Sequence, residues 1–316
     1  MRILILHTGG VPFFKNMTAK QVQNQLNEYL AMQFMVEADV QIVSRQPGAD
    51  ARYVDANQLG QRIAYDYDRY DGFIIIHGQD NAIYISNLLQ FLFTSLGKPV
   101  IFTGCTLPDD TLTHTDSTST KEQSLYYEVG LRANLVTALQ LSTLNCSGII
   151  LSYGTHIVRA VRAMAPQPYQ TQFFTSYGGT DAAEVQFGIQ VAKDTPSRHK
   201  QPLEFNGNFS LDIYIAQAYP EMTIPKDVAN HYKAVIICGY QEQLIPATLE
   251  LPTNIPVIIH SHSQATLRPG DGNNVLVVPN ATFPVLLTKT MAVLGRTNTT
   301  EEFIAEYKRN RFGEFK

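Results

Sequence analysis

The chain of 316 residues is 44% hydrophobic and 16% charged, with a formal net charge of -4. Its length exceeds what one core usually serves, so two domains are expected, and this balance of apolar and charged residues belongs to a folded protein. The acidic charge and the want of any basic run exclude a nucleic-acid footprint, and no apolar run is long enough to span a membrane.

Ile3 to Leu6 is an unbroken branched-apolar run stopped by His7, Thr8, Gly9 and Gly10, which predicts a strand buried on both faces. Arg2 followed by so short a run does not make a signal-peptide core, and cytoplasmic residence is the expectation. Thr18 and Gln21 form a capping box ahead of Val22, Leu26, Leu30 and Phe34 at near-helical spacing. A strand over Val40 to Val43 comes next, then a second box at Asp55 and Gln58 ahead of Leu59 and Ile63.

Phe73 to Ile76 and Val100 to Thr103 read as two buried strands, each ending in a glycine-containing turn, around a helix from Ala82 to Leu96. Such a frame can hold a small ligand. A polar segment from Asp109 to Gln123, a helix to about Leu144 and a strand from Gly148 to Ser152 continue the alternation. The fold class is therefore α/β, a mostly parallel sheet with helices on both faces, whose ligands sit outside the carboxyl ends of the strands.

From Gly178 to about Gly207 the pattern lapses into Gly, Asp, Pro, Ser, Arg and Lys. Strands resume at Leu211 to Ile215, Ala234 to Ile237, Val257 to His260 and Val275 to Val278, before helices Thr282 to Leu294 and Thr300 to Arg311. The second helix starts at Thr299 or Thr300, with Glu301 and Glu302 nearby. The expected organisation is a first α/β domain over 1–185, a linker over 186–208 and a smaller α/β domain over 209–316. Cys105, Cys146 and Cys238 fit neither a zinc site nor a disulfide framework and read as buried thiols.

Several motifs then carry a resemblance. ILHTGGV at Ile5 to Val11 is similar to ILxTGGT, DGFIIIHGQDN at Asp71 to Asn81 to DGFVxxHGTDT, and KPVIFTG at Lys98 to Gly104 to KPVVxTG, in the bacterial-type L-asparaginases. Weaker echoes follow at Asn134 and Leu135, at Asp212 to Met222 and at Leu286 to Gly295. The resemblance implies an asparaginase-like fold of two α/β domains, release of ammonia from asparagine or glutamine, no cofactor and no metal, and assembly as a homodimer or homotetramer.

The resemblance also implies where the chemistry would lie, and those positions are altered. The family's nucleophilic threonine, last in TGGT, corresponds to Val11, which has no oxygen with which to attack a carbonyl. The second threonine, in HGTDT, corresponds to Gln79, which binds but cannot act as nucleophile or base. Asp80 alone of that group is kept, and it is the catalytic candidate. The family's lysine has no counterpart between Glu122 and Ala192, where Arg159 and Arg162 stay protonated and cannot carry a proton. The substrate-binding serine falls at Gly48 or Ala49, ahead of Asp50, and no tyrosine occupies the flap around Lys15, Tyr29 lying inside the predicted helix.

The substrate-binding candidates are Thr8, Gly10, Val11, Gly78, Gln79 and Asp80. Thr8, Gly9 and Gly10 could present N–H groups to an anion or only make a tight turn. His77 could be a general base, the simpler expectation being a strand-end histidine bonded to backbone. Asp80 could meet a ligand amine or cap the helix Ala82 to Leu96. Thr103, Thr106, His114, Thr115, Asp116 and Ser117 offer a relocated nucleophile and base or a solvated loop. His260 and His262 alternate past a strand with no acidic or cysteine companion, which favours a surface or interface role over a metal pair. Two functions stay open: altered hydrolysis of asparagine, glutamine or a related small amide through a different nucleophile or an activated water, with a small amide or amino acid as ligand, or a catalytically inactive homologue that binds a small metabolite or a protein partner.

Overall fold

The chain forms two units, Met1–Asn206 and Gly207–Lys316. The structure is a computed structural model that describes residues 1–11, 14, 16–31, 36–46, 48–105, 120–165, 174–240, 245–246, 248–261 and 272–315, with backbone alone for 120–127.

The first unit runs β1 (Arg2–Gly9), α1 (Ala19–Ala31), β2 (Glu37–Gln46), α2 (Tyr53–Asp66), β3 (Gly72–Ile76), α3 (Ala82–Leu92), β4 (Phe93–Ser95), β5 (Pro99–Thr103), α4 (Thr120–Ser142) and β6 (Gly148–Tyr153). It continues with the short strands β7 (His156–Arg159), β8 (Ala163–Met164), β9 (Thr175–Ser176), β10 (Ala183–Val185), β11 (Ile189–Val191) and β12 (Glu204–Phe205). Eight of these strands form one sheet in the order β11-β10-β7-β6-β5-β3-β1-β2. From β2 to β6 the pairing is parallel, and β7, β10 and β11 add an antiparallel edge. Ile3 to Leu6, Phe73 to Ile76 and Val100 to Phe102 are completely buried, as unbroken apolar runs under helices on both faces must be.

Local signals account for most of the boundaries. Thr18 and Gln21 make the expected reciprocal cap, Thr18 N donating to Gln21 Oε1 (2.8 Å) and Gln21 N to Thr18 Oγ1 (3.3 Å). Asp55 caps α2 from its third position, accepting from Arg52 N at 2.6 Å, so the start lies three residues before the Asp55 and Gln58 box predicted. Helix α3 stops at Leu92, not Leu96: Phe93 is buried in extended backbone, its ring 5.0 Å from that of Phe205, and β4 pairs with β12.

Residues 186–206 belong to the first unit. Strand β11 extends the main sheet, Ser147 N donates to Pro196 O (2.8 Å), and Arg198 donates to Leu144 O (2.9 Å) and Asp71 O (2.6 Å). These contacts run from polar side chains and backbone to loop carbonyls, and such contacts leave no hydrophobic period in a sequence.

The second unit holds β13 (Ile213–Gln217), α5 (Val228–His231), β14 (Ala234–Cys238), β15 (Val257–Ser261), β16 (Val275–Pro279), α6 (Phe283–Leu294) and α7 (Thr300–Tyr307). Its four strands form a parallel sheet in chain order over a core that includes Val235, Ile237, Val257 and Ile259. Thr299 and Glu302 cap α7 reciprocally, Glu302 N donating to Thr299 Oγ1 at 3.1 Å. His260 is buried on β15 with Nε2 2.8 Å from Ala281 O, a core histidine and not the surface or interface residue expected. His262 lies outside the described residues.

Candidate active site

Strand order places a crevice before any side chain is considered. The chain leaves β1 for β2 on one side and returns to β3 on the other, so the sheet order reverses between β1 and β3. Open α/β sheets bind ligands at such a switch point, outside the carboxyl ends of the strands, because loops diverge there to opposite faces. Thr8 and Gly10 end or follow β1, and His77, Gly78, Gln79 and Asp80 follow β3.

The two strand ends meet through glycine. Gly10 has φ +72, and a Cβ there would stand 2.2 Å from both Cα and N of Gly78. Glycine at position 10 is what permits that approach. The Gly10 N–H donates to Gln46 O at 2.9 Å, so this amide holds β2 and is not presented to an anion.

The close approach sets Thr8 against His77. Thr8 Oγ1 lies 2.7 Å from His77 Nδ1 and 2.9 Å from Ile76 O. On the far side of the ring, Nε2 is 3.2 Å from Asn81 Oδ1, and Asn81 Nδ2 donates to Ala51 O at 2.8 Å. Phe102 meets the ring edge-on at 5.9 Å, and Tyr153 OH donates to His77 O at 3.0 Å. The ring's partners are thus side chains, not the backbone acceptor expected.

Because Asn81 points its amide nitrogen at Ala51, its oxygen must face the ring, and Nε2 must carry the proton. In a neutral imidazole Nδ1 is then an acceptor, and the single Thr8 hydroxyl proton has two acceptors in reach, Nδ1 and Ile76 O. Burial pushes His77 down to about 4, against the raising influence of the Asn81 bond and the Asp55 and Asp80 carboxylates. The ring is therefore neutral at physiological pH.

The residues inherited from the expected constellation are arranged differently. Val11 is 5% exposed in a core cluster that includes Phe14, Val22, Ile76 and Cys105. Gln79 donates one amide N–H to Cys105 O, so this bond ties the β3 turn to the β5 turn. Asp80 is exposed and does not cap α3, whose first flanking residue is Asn81 without a side-chain capping bond. Of the three, Val11 is buried, Gln79 half-buried and Asp80 exposed.

The remaining expected positions lie elsewhere or are otherwise engaged. Arg159 donates to Asp194 O (3.0 Å) and Arg162 to Tyr177 O (2.7 Å). Tyr29 lies on α1, buried, with the Arg132 guanidinium 5.0 Å from its ring centre. Asp50 is exposed in a 3-10 turn, Gly48–Asp50. Lys15 and the loop from Thr106 to Ser117 are outside the described residues, and Thr103 is buried with its hydroxyl donating to Ser152 O at 2.8 Å. Burial pushes the Cys105 thiol up to about 12 and Cys146 up to about 11, which leaves both unreactive.

Asn81 and Asn134 enter the sequence only as letters of the resemblance, with no role attached to either. Asn81 closes DGFIIIHGQDN, and its spacing of four from His77 across a turn is a usable signal. Asn134 is 3% exposed and joins two strand ends, donating to Gly104 O (2.7 Å) and accepting from Gly154 N (3.0 Å).

Known proteins share this architecture. A family profile described as "Asparaginase, N-terminal" matches residues 2–197. L-asparaginase of Thermococcus kodakarensis is 23% identical over 347 aligned positions, covering 99% of this chain and 99% of that protein. L-asparaginase 1 of Escherichia coli K12 is 44% identical over 54 residues, 17% of this chain, and the chain spans only 16% of that relative's length. Among solved structures, the thermostable L-asparaginase from Thermococcus kodakarensis matches with a TM-score of 0.78 at 20% identity, covering 100% of this chain and 99% of that one. L-asparaginase I from Vibrio cholerae matches with a TM-score of 0.78 at 21% identity, over 100% of this chain and 99% of that one. At these identities the structural likeness establishes the fold.

Proposed function

The chain belongs to the asparaginase family, and from that premise we propose an altered amidohydrolase. Conventional hydrolysis of asparagine through position 11 is lost, and the crevice between β1 and β3 takes a related small amide by another group. The observation that carries this reading is Val11 itself, a side chain without oxygen sealed in the apolar core. Loss of a hydroxyl nucleophile removes several powers of ten in rate, and Gln79 cannot replace it.

Purified protein is expected to release no ammonia from L-asparagine or L-glutamine at ordinary enzyme rates. Val11→Thr is expected to stay inactive toward both and to lose about 1–3 kcal/mol of stability, because its hydroxyl enters the core without a partner. Coupled ammonia assays and urea unfolding check both. Wild-type turnover of asparagine that disappears in Asp80→Ala would overturn the reading.

A second reading, a catalytically inactive homologue that binds a small metabolite or a protein partner, draws support from Arg159 and Arg162. They stand in the segment without lysine, and both donate to backbone carbonyls. Thermal shift separates the cases: a small amide or amino acid at about a hundredfold its Kd should stabilise the chain by about 2.7 kcal/mol. No shift with any of them points to a protein partner.

The reading extends to a cytoplasmic homodimer or homotetramer without cofactor or metal. Leu211, Ile215 and Tyr219, on and beside β13, are 59%, 46% and 57% exposed, which suits burial against a second copy. A monomeric mass by light scattering would remove this part.

A further inference from the structure

We propose that Thr8 is the nucleophile of this site, His77 its base and Asn81 the positioning residue of that base, acting on the carbonyl of a small primary amide. This rests on the altered-amidohydrolase reading and names the group that it left open. The geometry is that of a nucleophile–base–orienter series: Oγ1 to Nδ1 at 2.7 Å, Nε2 to Oδ1 at 3.2 Å, and Nδ2 to Ala51 O at 2.8 Å. Each link constrains the next. Ala51 fixes the Asn81 amide, Asn81 fixes the tautomer of His77, and that tautomer turns a lone pair toward the Thr8 hydroxyl.

Location and burial agree with this assignment. Thr8 and His77 straddle the switch point of the sheet, where a ligand is expected on topology alone. His77 is 2% exposed, edge-on to Phe102, while Thr8 is half-buried, so the base is shielded and the hydroxyl lies nearer solvent. The hydroxyl also has a second station. When the ring takes its proton, Nδ1–H can donate back to Oγ1, and a regenerated hydroxyl can donate to Ile76 O, 2.9 Å away.

The reaction balances with these groups and water. Thr8 Oγ forms a bond to the amide carbon as its proton passes to His77 Nδ1. Collapse of the tetrahedral adduct breaks the C–N bond, and the Nδ1 proton leaves with the nitrogen as ammonia. Water then adds to the threonyl ester, gives a proton to Nδ1, and releases a carboxylic acid as Oγ recovers its proton. Asn81 moves no proton; it keeps Nε2–H in place throughout.

p-Nitrophenyl acetate, a small activated acyl donor, tests the assignment on the full chain. Peptide mapping is expected to find an acetyl ester on Thr8 in the wild type and in Thr8→Ser. In Thr8→Val acylation of this peptide should fall at least about a hundredfold, the low end of what a positioned base and its nucleophile supply. Thermal melting of both variants checks folding, and Thr8→Ser keeps the test decisive if Thr8→Val unfolds. Asn81→Asp should move the midpoint of the acylation pH profile upward, because a carboxylate favours the imidazolium; a merely structural Asn81 would leave it in place.

Acylation elsewhere only, or at equal rate in Thr8→Val, overturns the proposal. Ammonia release from acetamide, propionamide and succinamide, measured alongside, separates it from the reading beneath. Release that survives Thr8→Val removes the Thr8 assignment and leaves the amidohydrolase. A Thr8 ester with no ammonia from any amide removes the amidohydrolase and leaves the Thr8 assignment.

Discussion

Gly10→Ala is expected to destabilise the first unit by at least about 3 kcal/mol, among the largest single effects available to a small substitution. Two causes combine. At φ +72 any residue with a Cβ pays about 1–2 kcal/mol of backbone strain. The larger cause is collision: the new methyl would stand 2.2 Å from Cα and N of Gly78, and these are backbone atoms that cannot rotate aside. Relief requires that β1 and β3 separate at their carboxyl ends.

Gly179→Ala supplies the control. Gly179 has φ +76 but open space around it, so alanine there should cost only the strain, about 1–2 kcal/mol. Urea unfolding of the two variants measures the difference, and equal losses would remove the collision argument. The same separation of strands would carry Thr8 away from His77. Gly10→Ala that still folds at low temperature should therefore lose acylation of Thr8 as well.

That coupling explains what could be read from the chain in advance. Buried parallel strands announce themselves, because both faces are covered and the sequence becomes an unbroken branched-apolar run, as at Ile3 to Leu6 and Phe73 to Ile76. The capping residues Thr18 with Gln21 and Thr299 with Glu302 were equally legible, since both partners lie within one turn. The edge strands β7, β10 and β11 were not, being three or four residues long, too short for an alternation to register. Val11 and Gln79 could be found by their places in a motif. The contact of Thr8 with His77 spans 69 positions and depends on Gly10 meeting Gly78, so no local pattern contains it. For the His77 ring the sequence suggests a backbone partner, whereas its partners are the side chains of Thr8 and Asn81.

Stability should fall steeply as pH drops from about 6.5 to about 4, ahead of general acid unfolding. His7 and His77 are 1% and 2% exposed, and burial pushes each down to about 4. His7 Nδ1 lies 3.1 Å from Ser44 O and so carries the ring proton, while its Nε2 is buried without a hydrogen-bond partner among the described residues. Burial outweighs the raising influence of the backbone around Ser44 and His7, and Arg45 and His77 oppose protonation further. In the unfolded chain both rings take up a proton near 6.5, whereas in the folded chain they resist until about 4, so between these values the unfolded state binds more protons. The stability due to the neutral rings is intact above 6.5 and is lost as pH falls toward 4, by about 3 kcal/mol for each ring. His7→Gln keeps an N–H donor for Ser44 O and removes one of the two titrations, so it should roughly halve the dependence. Urea unfolding at steps from pH 7 to pH 4 reads the slope directly. A flat profile down to pH 5 would mean that one ring or both are charged in the folded protein, and a charged His77 could not accept the proton of Thr8.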